Sequence, residues 1–97
     1  MRALPVEVLD DMLPIIPGPL QLAILRVLWR HDRMRLMDLW QAVRAIHGSD
    51  TALSTVSTTL TRLLRRGWVA RPKSGYYAAV LDRDQLIDLI AEYLERD

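Results

Sequence analysis

From Pro19 onward, apolar residues recur three and four positions apart. Leu20, Ala23, Ile24, Val27 and Leu28, with Trp29 on their flank, predict a helix running to about His31. Pro19 suits its first position, where a missing N–H leaves nothing unbonded. Leu36, Leu39, Trp40, Val43 and Ile46 repeat the pattern and predict a second helix ending near His47-Gly48, where a left-handed glycine can close it. The intervening DRMR leaves room only for a turn or one extended rung. A third helix is expected from Ser54, read as its N-cap, to Gly67, read as its terminator.

After Gly67 the period shortens. The runs WVARP and YYAAVL flank KSG, a glycine-containing turn, and together predict a β-hairpin with Arg71 and Lys73 at its tip. Tyr76 and Tyr77 alternate sides there, so at most one faces the core. From Asp82 to Asp97, Leu86, Ile87, Leu89, Ile90, Tyr93 and Leu94 sit in an acidic background, a wide apolar surface for a terminal helix. Before IIPGP, Val6 to Leu13 forms a short apolar stretch that can also be helical. The expected organisation is thus an N-terminal extension over residues 1–17, a core domain over 18–81 and a C-terminal helix over 82–97, with both ends candidates for dimerisation. Mainly α with a small β-hairpin, three helices followed by two strands, is the order of a winged helix-turn-helix.

A chain of 97 residues, about half of them apolar, buries one core. With no cysteine, disulfides, thiolate metal sites and cysteine nucleophiles are excluded, and a cytoplasmic location is the expectation. Glu7, Asp10 and Asp11 interrupt the place a signal peptide would need for its apolar run, and no stretch is apolar enough to span a membrane.

The net charge of +1 conceals a strong partition. Residues 19–75 hold ten basic side chains against three acidic ones, whereas residues 1–18 carry a net −2 and residues 76–97 a net −4. A basic middle between acidic ends suits a polyanion-binding core with an assembly segment.

On the third helix, Val56, Leu60, Leu63 and Gly67 fall within about 60° of one another, a seam for the core. Ser54, Thr58, Thr61, Arg62 and Arg65 lie opposite, with Thr55 beside them. Short hydroxyl side chains allow close approach to base edges, threonine methyls can meet thymine, and arginines can reach guanine or phosphate. No carboxylate pair, nucleophile with a base, phosphate loop or metal cluster appears, so neither catalysis nor a cofactor is expected. His31 and His47 are isolated, without further ligands for a metal. Trp29, Trp40 and Trp68 are read as packing residues.

Two segments resemble the BlaI/MecI type of penicillinase repressors and the related copper-responsive repressors. GPLQLAILRVLWR resembles the family's opening helix with its leucine-tryptophan pair, here Leu28-Trp29. TALSTVSTTLTRLLRRGWV is similar to its recognition helix, with Ser54, Thr55, Val56, Thr58, Thr59, Leu60, Arg62, Leu63 and Gly67 at matching places. The resemblance covers residues 18 to about 81. It implies a homodimer that represses from a dyad-symmetric operator, with Thr55, Ser57, Thr58 and Arg62 among the residues facing DNA. Two departures concern the signal. The C-terminal region is shorter than is common in the family and holds no phenylalanine for the asparagine-phenylalanine cut of the penicillinase repressors. The missing cysteines exclude the metal motif of the copper-responsive members. An inducer or partner protein is left open.

The expected site is therefore Ser54, Thr55, Ser57, Thr58, Thr61, Arg62 and Arg65 on the third helix with Arg71 and Lys73 on the wing. Arg66 is read instead as a cation that favours the helix C-terminus. Two other functions fit the same fold: a protein-interaction module, and an architectural DNA-binding protein with little sequence preference.

Overall fold

The computed structural model describes residues 17–95, so the Val6–Leu13 stretch lies outside the described residues. Four helices and three short strands follow in the order α1 (Pro19–Leu28), β1 (Met34–Arg35), α2 (Leu36–His47), α3 (Leu53–Arg65), β2 (Val69–Ala70), β3 (Tyr76–Ala79) and α4 (Arg83–Leu94). The antiparallel sheet has the order β1-β3-β2, so the expected extended rung before α2 becomes a third strand beside the hairpin. This is a mainly helical winged helix-turn-helix.

One apolar cluster holds the domain together. Ile24, Leu25 and Leu28 of α1, Leu39 and Val43 of α2, and Val56, Leu60 and Leu63 of α3 are nearly inaccessible, and Trp68, Val69 and Leu86 close the cluster. Leu25 stood outside the expected stripe. It is buried because α1 packs against α2, α3 and β3 together, so more than one of its faces meets protein. Ile46, expected in the seam of α2, is 48% exposed instead. It lies at the rim of a shallow recess with Arg26, Arg30 and His31, beside the end of α1. That helix ends at Leu28, earlier than the spacing suggested, and the chain continues to His31 in a turn closed by Arg30 N–H to Val27 and His31 N–H to Leu28.

The junctions are fixed by local chemistry. Gly67 takes a left-handed conformation with φ +77°, as expected of a terminator. Its N–H donates to Leu64 and the Trp68 N–H donates to Leu63, which satisfies carbonyls at the end of α3 and folds Trp68 onto the core beside Leu63. The Trp68 carbonyl then accepts from Val80 and Leu81, binding the exit of the hairpin to the end of α3. Gly48 differs from expectation. At φ 164° it is extended rather than left-handed, and it closes α2 by leading directly into a turn.

Asp82 begins α4 with a reciprocal pair of bonds, accepting from the Gln85 N–H at 2.7 Å while the Asp82 N–H donates to Oε1 of Gln85 at 2.9 Å. Replacing Asp82 by Ala is expected to lower stability by about 0.5–2 kcal/mol, measured by thermal unfolding. An unchanged melting temperature would show that α4 does not depend on this cap.

Candidate nucleic-acid interface

The site is built on α3, and α3 is held in place by the turn before it. The Trp40 indole N–H donates to the Thr51 carbonyl at 2.9 Å, and the Arg44 Nε donates to Ser49 at 3.0 Å with its guanidinium over the Trp40 ring. Thr51 closes the turn itself, donating from its hydroxyl to the Gly48 carbonyl at 2.7 Å. Two side chains of α2 thereby fix the entry to α3.

That helix begins earlier than expected. Ala52 is its N-cap, in extended conformation with its carbonyl accepting from Val56, so Ser54 is not the cap but lies inside the first turn. No side chain caps α3, since the N-cap is Ala52, whose methyl group offers no acceptor. The backbone amides of the first turn are thus left without a side-chain acceptor, on a helix that carries no acidic residue.

The phase of α3 places the expected residues together. Ser54, Thr55, Thr58, Thr61, Arg62 and Arg65 are exposed, while Ser57 is half-buried at the border of that face. Val56, Leu60 and Leu63 are buried on the opposite side, as the spacing predicted. Thr59 joins them at 8% exposure, a polar residue in the seam that periodicity did not indicate. Its hydroxyl donates to the Thr55 carbonyl at 2.8 Å, so it enters the core without an unpaired donor. The Thr61 hydroxyl donates likewise to Ser57 at 3.1 Å, which leaves its methyl group and acceptor capacity for a ligand. Arg66 sits half-buried at the C-cap.

Beyond α3 the hairpin forms the wing, with Val69 opposite Ala79 and Ala70 opposite Ala78. Its turn holds Gly75 at φ +83° and is closed by the Tyr76 N–H donating to Lys73 at 2.9 Å. Arg71 and Lys73 are exposed there, with the Arg71 guanidinium over the ring of Tyr77. Tyr77 packs on the core. Tyr76, on the other side of the strand, meets two arginines from β1 and the residue before it. Arg33 and Arg35 lie with their guanidinium carbons 5.0 and 5.2 Å from the centre of its ring, and Arg35 Nε donates to its hydroxyl at 3.1 Å. Neither arginine was among the residues that the sequence singled out.

Trp29 and Trp68 take the packing roles expected of them. Trp68 is buried, and the Trp29 indole donates to the Leu81 carbonyl at 2.8 Å, fixing the link between the sheet and α4. The described residues contain no group of histidine and carboxylate side chains able to hold a metal, and no helix among them is long and apolar enough to cross a membrane. The family model described as Penicillinase repressor matches residues 17–95, past the expected limit of 81 and through α4. No curated protein and no solved structure matches the chain.

Proposed function

Because the chain belongs to the penicillinase repressor family, whose members are DNA-binding transcriptional repressors, we propose that it acts as a homodimer on a dyad-symmetric operator. One observation carries this beyond the family: the face of α3 turned away from the core gathers exposed hydroxyls and guanidinium groups with no carboxylate among them. Thr55, Ser57, Thr58 and Arg62 read base edges in the major groove, with Ser54 and Thr61 close to the same edges. The uncapped first turn of α3 together with Arg65, Arg71 and Lys73 holds phosphates. The protein works in the cytoplasm, where its operator is.

The second subunit docks through α4. Among the described residues of that helix only Leu86 is buried, while Ile87, Leu89 and Leu94 remain exposed at 49%, 37% and 69%. Ile87 and Leu94, with half-buried Ile90, fall within about 60° of one another, an apolar stripe of the kind a second subunit covers. A dimer of this kind places its half-sites one helical turn of DNA, or a multiple of it, apart. Footprinting on the upstream region checks this: two protected segments at that spacing are expected, and a monomer that holds one isolated half-site with full affinity would overturn the dimer.

The decisive experiment is binding to DNA from the upstream region of the protein's own gene and to a scrambled duplex of equal length, over a series of salt concentrations. Strong preference for the upstream duplex with a steep salt slope supports operator-specific repression. Equal affinity for both duplexes would instead indicate an architectural protein, and binding to neither a protein-interaction module.

A further inference from the structure

We propose that Arg33, Arg35 and Tyr76 form a second anchorage for the DNA backbone, a phosphate-binding patch beside the wing and outside the bases read by α3. This rests on the repressor function above and extends its contact surface to residues of β1. Cross-strand register brings the three together, since Arg35 stands directly opposite Tyr76 and Met34 opposite Tyr77. Tyr76 is also the first residue of β3 after the wing turn and is hydrogen-bonded to Lys73. The patch therefore continues the basic tip formed by Arg71 and Lys73.

Two features make it a patch for an anion and not merely an exposed pair. First, both guanidinium groups share one tyrosine ring, which fixes them within about 10 Å of each other. Two cations on the ring of one side chain leave an unbalanced local positive charge. An anion touching both relieves it. Second, no carboxylate inside the domain does so. Asp32, next in sequence to Arg33, forms no ion pair with either, and the interactions of Arg33 and Arg35 within the described residues are confined to Tyr76. The cation–π contact and the Arg35–Tyr76 hydrogen bond order the guanidinium groups in advance, while their remaining N–H donors face solvent. Duplex backbone is the partner that fits, because the patch adjoins the wing and presents cations without an apolar surface.

The test compares the wild-type chain with the double variant Arg33→Ala/Arg35→Ala on the upstream and scrambled duplexes, each over a salt series. Loss of two phosphate contacts should reduce the salt slope by about two and weaken binding to both duplexes about tenfold or more near 0.15 M salt. Shortening the upstream duplex from its ends should cost the wild type affinity at a flank length where the double variant loses none. The melting temperature should fall by no more than about 10 °C, since both arginines are exposed and their side-chain contacts are confined to Tyr76. An unaltered salt slope overturns the patch, as does a loss confined to the upstream duplex, which would indicate base reading. A fall in melting temperature accompanied by an unaltered slope also overturns it, by giving the residues a structural role alone. Wild-type protein that binds neither duplex would remove the repressor function itself; wild-type binding matched by the variant would remove only the patch.

Discussion

Leu60→Ala is expected to lower the free energy of unfolding by about 2–5 kcal/mol, the range for emptying a fully enclosed leucine site. Leu60 is 1% exposed and belongs to the same cluster as Ile24, Leu28 and Leu39, so the side chain separates three helices and not merely two turns of its own. A domain of this size loses about 4–8 °C of melting temperature per kcal/mol, which places the variant about 8–40 °C below the wild type. Total stabilities of about 5–15 kcal/mol leave such a protein folded only marginally at physiological temperature. DNA binding provides the second readout. Leu60 lies on the side of α3 turned from DNA, so the molecules that remain folded should keep the wild-type salt slope and sequence preference. An unchanged melting temperature would mean that the buried and exposed faces of α3 are exchanged, and with them every proposed contact to DNA.

This sharp division of one helix was readable in the sequence because two independent patterns coincide there. Val56, Leu60 and Leu63 keep helical spacing, and Gly67 marks the end in the left-handed geometry that only glycine adopts without strain. Thr59 escaped the same pattern. A threonine in the seam is admissible only because its hydroxyl finds the Thr55 carbonyl one turn back, and residue type alone does not disclose that bond. The start of α3 differs from the pattern for a related reason. Ser54 has a suitable capping oxygen, but the chain turns helical already at Leu53, with Ala52 in the extended conformation of the cap. The apolar pattern of the C-terminal segment likewise does not disclose the cap of α4, where Asp82 and Gln85, three residues apart, exchange reciprocal bonds.

Arg33 and Arg35 show where sequence reading ends. Their significance depends on Tyr76, about 40 positions further along the chain, and on a register in which β1 pairs with β3 instead of with β2. No local period encodes that register. DRMR gave a charge count and an extended rung, and only the sheet turns those charges toward the wing.

Arg62→Ala is expected to cost about 1–3 kcal/mol of affinity for the operator while leaving stability within about 0.5 kcal/mol of the wild type. Its side chain is exposed on the same face as Thr58 and Thr55, and it makes no hydrogen bond or ion pair within the described residues that the mutation would break. The whole effect should therefore appear in the complex with DNA. A guanidinium that bonds two acceptors of one guanine discriminates against other bases, so affinity should fall on the upstream duplex and much less on a scrambled one, and tolerance should rise at a single base pair in each half-site. Arg71→Ala or Lys73→Ala, at the wing tip, should instead weaken both duplexes alike and reduce the salt slope by about one each. This contrast separates reading from holding. If Arg62→Ala behaved as the wing variants do, Arg62 would be a phosphate contact, and sequence preference would have to arise from Thr55, Ser57 and Thr58 with the deformability of the DNA.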